Sequence, residues 1–189
     1  MHLLAAQAGE ISDGDEAIDL GQTPGDVIFL SAADTEIALL SKAHDEGLHS
    51  LRLANLMQLK HPMSVDVYLQ QTCPEAKIII ARLLGGRSYW PYLVDELTGF
   101  SNAHAIPLVL LPGDNKVDEE LIALSSVDHE TYTALWAYLA EGGTGNAKGF
   151  LSYITHLLNP VHVKPRPAKA LPKSGLYWPG VQAPGLINA

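Results

Sequence analysis

The sequence predicts an α/β fold built on an open, mainly parallel sheet of four to five strands with flanking helices, followed by two C-terminal helices and a proline-rich tail. Three observations carry this prediction. Four short apolar runs recur at similar spacing: DVIFLS (26–31), SLRLANL (50–56), KIIIARLL (77–84) and IPLVLLPG (106–113). Stretches of helical period lie between them, which is the rhythm of βαβ units. The first, third and fourth runs are almost continuously apolar, as strands covered on both faces must be.

The elements follow in order. HLLAA (2–6) reads as a possible fifth strand, and the polar, glycine-rich stretch from Gly9 to Gly25 as a long connection with at most one short helix around Glu16 to Leu20. After the first strand, Ala33, Ile37, Leu40 and His44 share one helical face, with Ser31 and Asp34 supplying helix-start chemistry. The second run alternates, Leu51 and Leu53 against Arg52, which suits a strand nearer an edge. Cys73 precedes Pro74 at an expected helix end. Beyond the third strand, Trp90, Leu93, Val94, Leu97 and Phe100 form a second helical face, and Pro91 fits a first helical turn, where its missing N–H costs nothing. Asp128 heads a helix whose apolar face is Tyr132, Leu135, Trp136 and Leu139. EGGTGNAKG (141–149) breaks that helix, with Asn146 to Gly149 left open to the next one, and Phe150, Ile154, Leu157 and Leu158 continue the helical pattern. The two C-terminal helices are expected to pack together or across the sheet. This is a flavodoxin/Rossmann-like arrangement, assigned to residues 1–158.

Residues 159–189 differ in character. Six of the twelve prolines fall in the last thirty residues, so this part reads as an extended strap or linker toward a further region. GLYWPG (175–180) interrupts its polarity with apolar bulk expected to dock onto this domain or another. Glu10, Asp13, Asp15, Glu16, Asp19 and Asp26 crowd the N-terminal region, whereas Lys164, Arg166, Lys169 and Lys173 dominate the tail.

Composition narrows the function. With 189 residues the chain has the length of one medium domain, large enough to need no disulfide or metal staple. A net charge of −9 argues against a nucleic-acid partner, because phosphate neutralisation needs a basic face. No apolar run reaches the length of a membrane span, and the N-terminus lacks the basic region of a signal peptide. The lone Cys73 makes no internal disulfide, so a reducing cytoplasm is the expected compartment.

In an open parallel sheet, ligands favour the carboxyl ends of the strands. Three loops should gather there: 30–36, 83–92 and 111–120. In RLLGGRSYWPY (82–92), Gly85 and Gly86 offer a turn that can cradle an anion at a helix start, with Arg82 or Arg87 adding charge. The pair is a weak nucleotide signal, since G-x-G-x-x-G, a Walker pattern and an acidic ribose partner are all missing. A structural strand-to-helix turn is the leading reading. Contact with a larger, partly aromatic ligand or with a neighbouring domain is the alternative. Trp90 has core spacing, and Tyr89 and Tyr92 are placed for the rim of a site. The eight histidines are scattered without metal-ligand spacing, and no nucleophile elbow is present. Motifs assign no catalytic centre and no metal site.

Taken together, SLRLANLMQLKHPMSVDVYL (50–69), IIIARLLGGRSYWPYLVDEL (78–97), IPLVLLPGD (106–114), LWAYLAEGGTGNAKGFLSYI (135–154) and GLYWPG (175–180) resemble the CobN / magnesium-chelatase H subunit family, the large subunits of metal chelatases. The resemblance runs from MHLLAAQ to GLYWPG. It implies insertion of Co²⁺ into hydrogenobyrinic acid a,c-diamide in aerobic cobalamin biosynthesis, within a complex that uses ATP with Mg²⁺ on the AAA+ subunits CobS and CobT. Members of this family are several times longer, and their insertion machinery lies mostly beyond such a segment. The resemblance therefore implies an N-terminal, non-catalytic domain, as a fragment, split product or truncated relative, with no catalytic residue carried over. Its partners would be the remainder of the large subunit, CobS, CobT and the corrin precursor. Arg82, Gly85, Gly86, Arg87, Tyr89, Trp90 and Tyr92 are the ligand- or domain-contact candidates. Two other readings are a structural docking module and a stand-alone flavodoxin-like small-ligand domain.

Overall fold

The computed structural model describes residues 16–44 and 49–170. The strand expected at 2–6, residues 10–15 of the acidic run, Lys173 and the GLYWPG cluster lie outside them. Four strands, β1 (Val27–Ser31), β2 (Leu51–Asn55), β3 (Ile78–Leu83) and β4 (Leu108–Pro112), form one parallel sheet in the order β2-β1-β3-β4. Phe29 pairs with Leu53 on one side and Ile80 on the other, and Ile79 pairs with Leu108.

Six helices cover the sheet: α1 (Asp34–Ala43), α2 (Pro62–Gln71), α3 (Pro91–His104), α4 (Glu119–Leu124), α5 (His129–Glu141) and α6 (Gly143–Leu158). Strand side chains alternate between two cores, because successive Cβ atoms point to opposite faces. Ile28, Leu30, Ile79, Ala81 and Leu110 pack with Val65, Tyr68 and Leu69 of α2 and Leu93, Val94 and Leu97 of α3. Val27, Phe29, Ile80, Val109 and Leu111 pack with Leu40 of α1, Leu135 of α5 and Phe150 and Ile154 of α6. Both faces are therefore dry, which explains the unbroken apolar runs of β1, β3 and β4. β2 is buried only at Ala54, consistent with its place at a sheet edge and with its alternating sequence.

Three sequence expectations need correction. Residues 17–20 form no helix. Ile18 N–H donates to Ser64 Oγ at 2.7 Å, and the Gln22 amide donates to Leu53 C=O at 2.9 Å. The segment's polar groups are thus spent on α2 and β2, and Gly21, at φ 59°, and Pro24 oppose helical continuation. Ser31 does not cap α1: its Oγ accepts from Ala33 N–H and donates to Glu36, while Ala33 occupies the cap position without a side-chain bond. The break between the last two helices is far shorter than 141–149. Gly142 alone separates α5 from α6, so a two-glycine turn is enough to reverse the chain. Asp128 does cap α5, accepting from Thr131 N–H at 2.8 Å, and these bonds hold its carboxyl below the usual range. Pro91 takes the first position of α3 as expected.

The order of strands reverses at one place. β1 connects leftward to β2, after which the chain crosses to β3 on the other side of β1. The crevice between the carboxyl ends of β1 and β3 is the position where such folds bind ligands.

Candidate functional site at the carboxyl edge of the sheet

Ser31 and Arg82 are register partners at that crevice. Arg82 is 7% exposed, and its guanidinium meets the Glu36 carboxylate, delivered by the first turn of α1. Ser31 Oγ donates to the other Glu36 oxygen at 2.8 Å, and Arg82 Nη2 donates to Gly113 C=O at 3.3 Å. The crevice is thus filled by the protein's own ion pair. Arg82 Nε is buried without an acceptor among the described residues, so the pair is not fully satisfied there. A buried ion pair of this kind adds little net stability, yet leaving one partner alone is costly.

The 83–92 loop sits beside it. Gly85 and Gly86 have φ of 83° and 66°, the region that side chains disfavour. A Cβ at Gly85 would lie 2.5 Å from the Tyr89 ring, and one at Gly86 would lie 2.8 Å from Asp118 Oδ2. The pair does not open directly into α3. A single 3-10 turn over Arg87–Tyr89 intervenes, and Gly86 N–H is spent on Leu83 C=O at 3.3 Å. Arg87 is bound to Asp95 at 2.8 Å and to Glu120 at 3.1 Å, and these carboxylates raise its pKa further. Both arginines that sequence offered for an anion are therefore engaged by carboxylates of this chain.

The aromatic residues separate. Trp90 packs partly against the α2–α3 core, its indole N–H reaching Leu84 C=O at 3.4 Å. Tyr89 is 77% exposed and lies over Gly85. Tyr92 donates to Asp66 at 2.8 Å, and that bond pushes its pKa up to about 12, so it stays a neutral phenol at physiological pH. Around them Met57, Met63, Leu84 and Val117 are exposed as well. Each follows a strand end or opens a helix, so they collect along the carboxyl edge of the sheet.

Sequence reasoning missed Glu36, Gly113 and Asp118. Glu36 carries no local signal, because its pairing with Arg82 depends on the register of β1 against β3. Gly113 is needed because a Cβ there would meet the Leu84 backbone at 2.6 Å. Asp118 caps α4 through Leu121 N–H at 3.1 Å. Among the described residues, no three His, Cys, Asp or Glu side chains converge as a metal site, and no helix is long and apolar enough to cross a membrane. Several histidines sit at helix ends: His61 accepts from Met63 N–H at the start of α2, and His104 stacks on Phe100 at the end of α3. Cys73 is buried, which pushes its thiol up to about 12 and leaves it a poor nucleophile.

Fold and edge together define a doubly wound α/β domain, with the crevice at its strand-order reversal occupied by an internal ion pair and exposed apolar and aromatic side chains at the same end. No family profile matches the chain. Two curated proteins do: the aerobic cobaltochelatase subunit CobN of Sinorhizobium sp., 50% identical over 98% of this chain, and that of Pseudomonas aeruginosa, 36% identical over 95% of it. Among solved structures, the catalytic subunit of cobaltochelatase from Mycobacterium tuberculosis matches with a TM-score of 0.64 and 27% identity, covering 82% of this chain and 12% of that one. The chain belongs with the CobN cobaltochelatase subunits. It spans about one-seventh of the length of the curated relatives it matches, 15% of one and 14% of the other.

Proposed function

We propose that this chain forms the N-terminal, non-catalytic domain of an ATP-dependent cobaltochelatase large subunit, and that it docks on the remainder of that subunit through the carboxyl edge of its sheet. The complex so completed inserts Co²⁺, its substrate metal, into hydrogenobyrinic acid a,c-diamide in the cytoplasm, with ATP and Mg²⁺ handled by CobS and CobT. The observation that carries this reading is the set of exposed apolar side chains at the carboxyl end of the sheet, Met57, Met63, Leu84, Tyr89 and Val117, together with arginines already paired with carboxylates. A macrocycle bearing carboxylates calls for free cations and open N–H donors. A protein surface calls for apolar and aromatic side chains rimmed by polar groups, which is what this edge presents.

The test uses the Sinorhizobium relative without its matching segment, supplied with this chain in trans. The chain should bind it and raise cobalt insertion, read from the corrin absorbance. Leu84→Asp and Tyr89→Ala should each weaken association at least about tenfold, as expected of central apolar contacts. Unchanged association by both variants refutes the docking face, and cobalt insertion by this chain alone refutes its non-catalytic role. Saturable quenching of tryptophan fluorescence by the corrin precursor, lost in Arg87→Ala, would instead favour direct ligand contact by the 83–92 loop.

A further inference from the structure

The basic strap is held by α5 and α6 in a specific way. Tyr138, on α5, donates its O–H to Arg166 C=O at 2.5 Å. Asn146, in the first turn of α6, accepts Lys169 N–H at its Oδ1 and donates through Nδ2 to Lys169 C=O, both at 2.8 Å. One carboxamide therefore closes both backbone groups of a single residue, as a neighbouring strand would. A third bond, Nδ2 to Gly142 C=O at 2.8 Å, fixes the orientation of that amide, which is itself buried.

The anchored residues, Arg166 and Lys169, are three apart. So are Pro165 and Ala168, the two strap residues between 161 and 170 that are half-buried while the others are exposed. Ala168 packs against the core beneath α5 and α6. A period of three is that of a polyproline II helix, whose unpaired carbonyls and N–H groups are open to side-chain partners. The groove is shaped for it. A cleft of about 380 Å³ remains between the seated strap, at Pro165, Arg166 and Pro167, and the facing Tyr138, Gly142–Gly143 turn and Gly149. A Cβ at Gly149 would come within 2.5 Å of the Tyr138 ring. At the near end, Lys164 Nζ lies 5.5 Å from the Tyr153 ring centroid and pairs with Glu130.

The geometry points to a peptide-recognition groove between α5 and α6 that takes an extended, proline-containing segment with a small residue at its third position after the first proline, and residues 164–169 are its resident ligand in cis. Recognition goes through the backbone and the small side chains, and the cations of Arg166 and Lys169 stay exposed. The groove also sets where the chain emerges. Ser126, three residues before α5, bonds Leu108 at the amino end of β4, and α5 passes Asp114 beyond the carboxyl end of β4 through Trp136. α6 returns from there, so Lys169 is pinned at the carboxyl end of the sheet, the same end as the 83–92 loop but on the opposite face.

Hydrogen exchange on the full chain tests this. The Lys169 amide should exchange at least about tenfold more slowly than in the unfolded chain, the range one well-made hydrogen bond supports. Asn146→Ala should abolish that protection, and Tyr138→Phe should reduce it several-fold, while amides in the middle of α6 stay protected. An unprotected Lys169 amide in the natural chain, or protection that survives Asn146→Ala, overturns the proposal. In a second arm, the Ala168→Asp chain, with its strap displaced, should bind an acetylated, fluorescently labelled peptide of residues 163–170. Adding Asn146→Ala should weaken that binding at least about tenfold. Failure of a folded Ala168→Asp chain with an unprotected Lys169 amide to bind the peptide also overturns it.

Discussion

The molecule uses the same glycine conformation in two turns and surrounds it differently. Gly86 has φ 66° and ψ −160°, and Gly142 has φ 65° and ψ −168°. Each lies next to a second glycine of positive φ, Gly85 or Gly143, and each leads into a helical turn. The first turn is tied into its surroundings by side chains. Tyr89 covers Gly85, Asp118 approaches Gly86, and Glu36 claims Arg82 next to it. The second turn is open on one side, and the strap runs past it. Glycine pairs of this kind state that the chain must bend; what covers the bend is decided by residues far away in sequence.

The largest effect should come from breaking the ion pair beside the first turn. Glu36→Ala leaves the buried Arg82 charge uncompensated and should lower stability by about 3 kcal/mol in urea denaturation. Arg82→Met, which removes the charge with the need for it, should cost far less. If the two variants are equally damaging, the pair is more than a filler of the crevice.

Next come the glycines. Gly86→Ala and Gly142→Ala should each cost about 2 kcal/mol, because both positions demand a conformation close to glycine-only. Gly86 should be the worse of the two, since Asp118 must move, whereas the nearest atom to a Cβ on Gly142 is 4.0 Å away. Equal melting temperatures for the two variants would show that backbone strain alone matters at both turns.

The smallest effect should be at Tyr132, on α5 between the two turns. Its buried O–H has no hydrogen-bond partner among the described residues, and burial, with Asp118 and Glu119 nearby, pushes its pKa well above the usual tyrosine value. Tyr132→Phe should change stability by less than about 0.5 kcal/mol, or raise it, because the phenol gives up nothing on removal. A clear loss would reveal a partner for that oxygen in the folded protein.

Most of the fold was legible because strands covered on both faces write themselves as unbroken apolar runs. The four runs match β1 to β4 to within two residues at each end, and the alternation of 51–53 marked β2, the one of the two edge strands that is not covered on both faces. Helix faces such as Leu93, Val94 and Leu97 were legible for the same reason of periodic burial. The α4 helix was not, since six residues carry too short a period. The loops at the carboxyl edge were legible as a place, and their contacts were not. Arg82, Tyr89 and the glycine pair were singled out as candidates from local spacing. Glu36 was hidden, because its partner lies 46 positions away and nothing local distinguishes a helix-start acid that pairs inward from one that faces water. The Asn146 clasp was hidden as well: a lone asparagine in a glycine-rich stretch reads as turn chemistry, and its bonds are to the backbone of a residue 23 positions on.

The strap has one further property that follows from its sequence and its anchoring. Lys164 and Arg166 are each followed by proline, and trypsin-like proteases do not cut a bond whose nitrogen belongs to a proline ring. The next candidate, Lys169–Ala170, has its carbonyl bonded to Asn146 and is held against the domain, while proteases need several residues free to enter their cleft. A segment rich in cations and extended in shape, the usual profile of an easily nicked connector, is therefore armoured at every basic residue from 164 to 169. Limited trypsin digestion should leave the strap from 164 to 169 uncut while it is seated.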